Sequence, residues 1–523
     1  MSEPNENVIC ESTANDIATG SEKVEVIESA NEGADIVAED VAPAHSEFSD
    51  ATEEDAPPAA EETIKETEES AVKDIPKSET VPQADGKALS EPQPLPQAET
   101  KPAQEQKASE QNAQQKAQQK ALSNEEVTGH TASLWKYLPI PSHEPEPVPE
   151  YINGTIKFPG SKVVAARVRG KKHKHEGTNC DDWYEVANYE RMTFIAVSDG
   201  AGSKKFSRIG ARESCKAAIG FLVSSFEKLF TDKPELKEHL TLALTDSKCM
   251  ESCGVLAGVV QQSVIKAHEA VEAAFYSRKT NPEYEKVLGR GLQFKDLSGT
   301  LLITVLIPIS EITKEHLVIS CQIGDGMIAI LNSEGEFSNS MKLMGVPDSG
   351  DFSGETDFLT SSQMKNIESL QHRTKISRAI VDTVMVMSDG VADDYFPNET
   401  QMRRLYFDLI VNGILEKSSK PISMATLTQA QMKLFKRIPD PLVYPWVNDQ
   451  SVKIPIQYTN RILESTGLTL EDLWKDSTAL NLARLELEEN EKNPDLSEKL
   501  KIWLDNYVER GSFDDRTLVV VTM

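Results

Sequence analysis

Acidic side chains recur where short apolar runs stop. Asp199-Gly200 closes the run Phe194 to Val197, and Asp389-Gly390 closes Val384 to Met387, each with a serine just before the acid. Asp325-Gly326 follows Leu317 to Ile323, and Asp514-Asp515-Arg516-Thr517 leads into the last run, Leu518 to Val521. Short runs of this kind read as strands, so their ends gather carboxylates at one end of a sheet. Such a group repels itself unless cations occupy it, which points to a site for hard metal ions. Asp-Gly also has ordinary uses, as a hairpin turn that needs positive φ or as a helix cap. For Asp325-Gly326, between two strand-like runs, turn and ligand both stay open and do not exclude each other.

The elements that must carry these acids come in blocks. Lys162 to Val168, Met192 to Ser198, Gly299 to Ile307, His316 to Ile323, Met327 to Asn332, Thr383 to Met387 and Leu518 to Thr522 read as strands. Ser207 to Leu229, Glu235 to Asp246 and Val255 to Phe275 carry apolar residues at helical spacing. From Glu399 to Lys501 the pattern is largely helical, notably Thr478 to Glu491, and Leu496 to Tyr507 extends it. Strands and helices do not alternate strictly, which predicts an α+β fold with antiparallel sheets.

Composition divides the chain. The net charge is −29, and residues 1–150 hold 33 Asp and Glu against 10 Lys and Arg. Residues 1–130 contain one aromatic, Phe48, too little apolar surface to offset chain entropy. Residues 1–134 are therefore expected to be a disordered acidic region. Pro139, Pro141, Pro145, Pro147 and Pro149 mark 135–155 as a Pro-rich linker, leaving 156–523 as the folded domain. That length exceeds a typical domain, so an insertion is expected at about 398–510.

The same composition excludes several classes of function. No basic patch is concentrated enough for nucleic acid. The longest apolar run, Leu301 to Ile309, is too short to cross a bilayer and contains Pro308, so no membrane partner is expected. Met1 to Glu6 lacks the positive start of a secretory signal. Cys10, Cys180, Cys215, Cys249, Cys253 and Cys321 show no metal-site spacing and read as reduced thiols of a cytoplasmic protein.

Taken in order, Asp181-Asp182, Asp199-Gly200, Ser298-Gly299-Thr300, Gly324-Asp325-Gly326, Ser388-Asp389-Gly390-Val391-Ala392-Asp393 and Asp514-Asp515-Arg516-Thr517 resemble the metal-dependent protein phosphatases of type 2C, the PPM family. The segment Gly170 to Asp182, with His173, Gly177 and Cys180, is similar to the bacterial branch. So is Asp199 to Ser203, followed by Ser207 and Gly210-Ala211. The resemblance implies a β-sandwich of two antiparallel sheets flanked by helices, with two Mg²⁺ or Mn²⁺ ions at one end. It makes Asp199 the bridging ligand and the Gly200 carbonyl a neutral one. Asp389 and Asp514 complete one ion's shell, Asp181 and Asp182 serve partly through water, and Asp325, Asp389 and Asp393 form a weaker third position. Asp199, Asp389 and Asp514 thus carry catalysis. Ser298-Gly299-Thr300 is then support near the site rather than a nucleophile.

Two positions depart from the family. Gly177 stands where many members have a phosphate-binding arginine, so Arg169 and His173, with Lys171 or Lys172, are the candidates for that charge. Ala201 replaces a histidine that could protonate the leaving group, a role worth about two to four orders of magnitude. The implied function is a protein Ser/Thr phosphatase acting on phosphorylated proteins, opposed by a cognate Ser/Thr kinase. The rival is a pseudophosphatase that binds phosphoproteins without turnover. The insertion, with Trp446, Trp474 and Trp503, is expected near the active-site end, either as a partner-binding element or as an appendage with core tryptophans.

Overall fold

Most strands of this chain are apolar almost without interruption because both of their faces are buried. In β2 (Ser161–Val168), Val163 and Ala165 face the neighbouring sheet while Val164, Ala166 and Val168 face helices. The same alternation holds in β4 (Met192–Ser198), β5 (Leu301–Ser310), β10 (Thr383–Met387) and β11 (Arg516–Thr522). The computed structural model describes residues 136–345, 357–395, 399–415, 459–476, 480, 495–506 and 513–523, which fall within one compact unit. The expectation for residues 1–134 lies outside the described residues.

The remaining strands are β1 (Tyr151–Phe158), β3 (Trp183–Tyr189), β6 (Glu315–Ile323), β7 (Met327–Leu331), β8 (Met341–Leu343) and β9 (Thr374–Ile380). A six-stranded sheet runs β1-β2-β11-β10-β7-β8 and a five-stranded one runs β3-β4-β5-β6-β9, every pair antiparallel. Valine, isoleucine and leucine side chains of both sheets meet in the middle of the sandwich. The helices Ser207–Asp232 and Ser247–Arg278 cover the five-stranded sheet. Four strands, β1, β3, β8 and β9, carry no clear apolar run. Their residues are polar or half exposed in places, so composition alone does not mark them. The helix expected over Glu235 to Asp246 stops at His239, because Asp246 caps the next helix by accepting from the Lys248 N–H at 2.9 Å.

One expectation about the start of the domain is corrected. Residues 135–155 are not a free linker. Tyr151–Phe158 is a full strand on β2, and the prolines ahead of it form a strap across the surface. Proline denies that segment a helix but leaves its carbonyls open to arginines. Arg208 donates to the Pro145 carbonyl at 2.6 Å and to that of Glu146 at 3.1 Å. The Glu146 carboxylate gathers Arg212, Arg278 and the Tyr284 hydroxyl, and these bonds hold it at about 2 against the cost of burial.

The insertion, expected near the active-site end, is described in part; its last helix ends against neighbours of His173 and Asp515, where Asp505 pairs with Lys174 and Arg516 donates to the Leu504 carbonyl at 2.7 Å. Its described helices, Glu399–Val411, Thr459–Thr466, Leu470–Lys475 and Leu496–Asn506, supply the layer on the outer face of the six-stranded sheet. Leu405, Leu409, Leu500 and Leu504 pack with Met385, Leu518 and Val520 in one apolar cluster, without which that face would be bare. Trp474 and Trp503 are core residues of this layer. Trp446 and most of Thr478 to Glu491 lie outside the described residues.

Candidate metal centre

Antiparallel register brings the acids together. Trp183 faces Ser198, Val197 faces Leu302, and Leu301 faces Ile323, so Asp182, Asp199, Thr300 and Asp325 leave the five-stranded sheet at one end. Met387 faces both Met327 and Leu518, and Val168 faces Arg516, which puts Asp389, Asp515 and Arg169 at one end of the other sheet. Side-chain bonds join the two ends. Asp182, from one sheet, accepts on Oδ2 from Ser388 Oγ at 2.8 Å and Thr517 Oγ1 at 2.6 Å, both from the other.

Asp199, Asp325 and Asp389 each place a carboxylate oxygen within 4.8 Å of the other two. Asp325, implied at a weaker position with Asp389, stands in this group beside Asp199 as well. It also occupies a turn, between Gly324 and Gly326 at φ 85° and 95°, so the two readings of that dipeptide coexist. Asp514 belongs to a second group with His173 and Asp515. Its charge nonetheless helps raise the carboxyls of Asp199 and Asp389, so it lies within electrostatic reach of them.

Support around the group is dense. The Asp199 N–H donates to Thr300 Oγ1 at 2.9 Å, and the Thr300 N–H returns to the Asp199 carbonyl at 2.8 Å. Gly200 pairs with Gly299, and the Ala201 N–H donates to the Ser298 carbonyl at 2.9 Å. Ser298-Gly299-Thr300 therefore fixes the turn that carries Asp199. Asp515, passed over in the sequence in favour of Asp514, is the buried anchor of the site. It accepts from the Gly170 N–H at 2.5 Å, the Asp181 N–H at 2.5 Å and His173 Nδ1 at 2.8 Å. Ser388, Thr517 and Asp515 sat inside the recognised motifs, but only contact between the sheets reveals their work.

Arg169 and His173, expected at a substrate phosphate, are turned inward. Arg169 is 1% exposed, with Nη1 on Glu150 Oε1 and Nη2 on the carbonyls of Leu138 and His173, each at 2.8 Å. His173 is bonded to Asp515, and its Nε2 lies 3.9 Å from Asp181 Oδ2. The strap and the segment before β11 cover this basic loop.

The electrostatics call for cations. Burial and the neighbouring acids push Asp199 and Asp389 well above the ordinary carboxylate range. Burial lifts Asp181 to about 7, and burial with the Asp515 charge lifts Asp182 to about 6. Asp181 Oδ1, Asp182 Oδ1 and Asp389 Oδ1 are buried without a hydrogen-bond partner. All of these donors are carboxylate oxygens, the set that Mg²⁺ or Mn²⁺ takes. The residues present fit such ions.

A pH prediction follows from the sign of these shifts. The folded carboxyls bind protons more tightly than unfolded ones, so the metal-free protein loses stability as pH rises from about 4 to about 7. A divalent ion favours the ionised forms and restores what is lost. At a hundredfold excess over Kd, one ion stabilises by about 2.7 kcal/mol. The rise in Tm on adding Mn²⁺ should be clearly larger at pH 7.5 than at pH 5; equal rises at both would contradict the assignment.

Comparison with known proteins identifies the family. A family model described as protein phosphatase 2C matches residues 169–429, and the chain belongs to that family. It is a protein serine/threonine phosphatase. Among curated proteins, sequence comparison found no match. Similar solved structures include serine/threonine phosphatase Stp1 from Staphylococcus aureus, 11% identical over 74% of this chain and 98% of that one, at a TM-score of 0.29. Serine-threonine phosphatase 2C from Toxoplasma gondii is 12% identical over 72% of this chain and 99% of its own, at 0.32. RsbX in complex with magnesium is 10% identical over 71% and 99%, at 0.27.

Proposed function

We propose that this phosphatase hydrolyses phosphoserine and phosphothreonine in proteins with two divalent cations, Mg²⁺ or Mn²⁺, held by Asp199, the Gly200 carbonyl, Asp389 and Asp514. Asp181 and Asp182 assist, and Asp325 with Asp393 supports a further, weaker ion. The observation that carries this reading is the meeting of Asp199, Asp325 and Asp389 within 4.8 Å, beside buried carboxylate oxygens that lack any partner. Divalent ions bound there would activate water as the nucleophile and neutralise the phosphoryl oxygens.

The chain's own part is to hold its acids in place before substrate arrives. Ser388 and Thr517 fix one oxygen of Asp182 and leave the other open. Thr300 fixes the turn of Asp199, and Asp515 fixes the backbone of Gly170 and Asp181. Ala201, 5% exposed, offers no proton to a leaving group. A phosphoprotein substrate implies a kinase that makes it, which we take to be a Ser/Thr kinase. Among the described residues five buried cysteines form no disulfide, which supports a reducing, cytoplasmic setting. Among the described residues no helix is long and apolar enough to cross a membrane.

The test is phosphate release from a phosphothreonine peptide with Mn²⁺ and with a chelator. Release that depends on Mn²⁺ is expected. A folded protein with no metal-dependent turnover would instead favour a phosphoprotein-binding role.

A further inference from the structure

Beside the candidate metal centre lies a second pocket, lined by Thr178, Asn179, Asp181, Gly202, Lys204 and Lys205 among others. None of Asp199, Asp325, Asp389 or Asp514 lines it. Asp181 is the one metal-site acid in its lining, so a group seated there would adjoin the metal centre through that residue.

Its wall holds donors with nothing to give to. Asn179 is 2% exposed, and its Oδ1 accepts from the Val148 N–H at 3.0 Å, which fixes the amide and leaves Nδ2 buried without a partner. Thr178 Oγ1 is buried and unpartnered in the same wall. A buried donor left unsatisfied is costly, so an acceptor that reaches it recovers that cost.

The opposite wall is the turn that follows Asp199-Gly200. Its backbone is pinned: the Lys204 N–H donates to the Ala201 carbonyl at 2.7 Å, and Arg208 Nη1 donates to the Lys205 carbonyl at 2.6 Å. The ammonium groups are not pinned, since neither Lys204 nor Lys205 is in an ion pair among the described residues. A Cβ built on Gly202 would meet Lys172 Nζ at 3.9 Å, so a third ammonium stands at this turn. Of the acids in the lining, Glu144 is paired with Arg208 at 3.3 Å and Asp181 faces His173 at 3.9 Å. Glu176 stands exposed at the rim.

The chain has no side chain at residue 177 to fill this role. Gly177 sits at φ 73°, and a Cβ there would meet the Pro139 carbonyl at 3.3 Å under the strap. Positive charge near the site comes from the turn instead.

We propose that this pocket binds a second anionic group of the substrate, a carboxylate or phosphate on a residue flanking the phosphorylated one. Asn179 and Thr178 donate to its oxygens while Lys204 and Lys205 neutralise it. The enzyme then prefers phosphoproteins with acidic or multiply phosphorylated sequence around the target. This deepens the proposed function and rests on it.

The test compares two phosphothreonine peptides, one flanked by glutamate and one by alanine, on the full chain and on a Lys204→Ala/Lys205→Ala variant. The native chain should favour the glutamate peptide in kcat/KM, and the variant should lose about tenfold of that preference, the size of one charge-assisted hydrogen bond. A preference that is absent, or unchanged in the variant, would overturn the proposal. In a separate arm, fluorescence anisotropy measures binding of a labelled peptide with glutamates and no phosphothreonine to the metal-free protein. Weaker binding by the variant supports the pocket even if turnover is lacking, so failure of this proposal is distinct from failure of the catalytic reading. Equal binding by both proteins would count against it.

Discussion

Asp199→Asn lowers kcat/KM for p-nitrophenyl phosphate about 10³-fold, some 4 kcal/mol of barrier, without weakening the fold. The amide keeps the shape of the carboxylate and removes its charge. In the metal-free state that charge is a burden, because burial, Asp389, Asp182 and Asp514 all disfavour it. Loss of a buried, repelled carboxylate leaves thermal stability without metal equal or higher. Activity and stability thus move independently, which separates a ligand from a residue that only holds the turn. The measurements are steady-state hydrolysis and a melting curve on the same preparation. A change of less than tenfold in kcat/KM would show that Asp199 is not a ligand that matters to the reaction.

Gly390→Ala disrupts the site by a different route. A Cβ at this position would lie 1.9 Å from the Asp515 carbonyl oxygen and 3.0 Å from its carbon, backbone atoms with no freedom to swing aside. Asp515 in turn anchors Gly170, Asp181 and His173. Overpacking of this kind costs about 3 kcal/mol, and the displaced backbone carries the acids of both sheets with it. We expect a lower urea midpoint and a loss of phosphatase activity at temperatures where the variant is still folded. Gly254→Ala is the control, because nothing lies within 4 Å of a Cβ there and the residue is inside a long helix. That change should stabilise by about 1 kcal/mol. If Gly390→Ala behaved like Gly254→Ala, the close approach of Asp515 would have to be discarded.

The site was more legible in the chain than the frame around it. Asp199, Asp325 and Asp389 stand directly after apolar runs, so an acid at a strand end survives as a local signal. The two-sheet sandwich was implied by family likeness more than by pattern. With both faces of β2, β10 and β11 buried, the alternation of period two that marks a strand disappears. Arg169 and His173 were misplaced for a related reason. Basic residues close to the first acid pair read as phosphate ligands, and only the strap of residues 136–150 reveals that they are covered. The strap itself was hidden by its prolines, which exclude helix but say nothing about packing. Family spacing to Thr517 favours Asp514 as the ligand and gives no sign of what Asp515 does, which appears only once β11 is paired.

Titration of the metal-free chain with Mn²⁺ by calorimetry, beside Asp199→Asn and Asp389→Asn, tests most directly whether these acids share cations. Binding of two ions to the native chain is predicted, with both variants weakened at least tenfold. Native and variant proteins that take up Mn²⁺ alike, or a native chain that takes up none, would contradict the convergence of these side chains on metal.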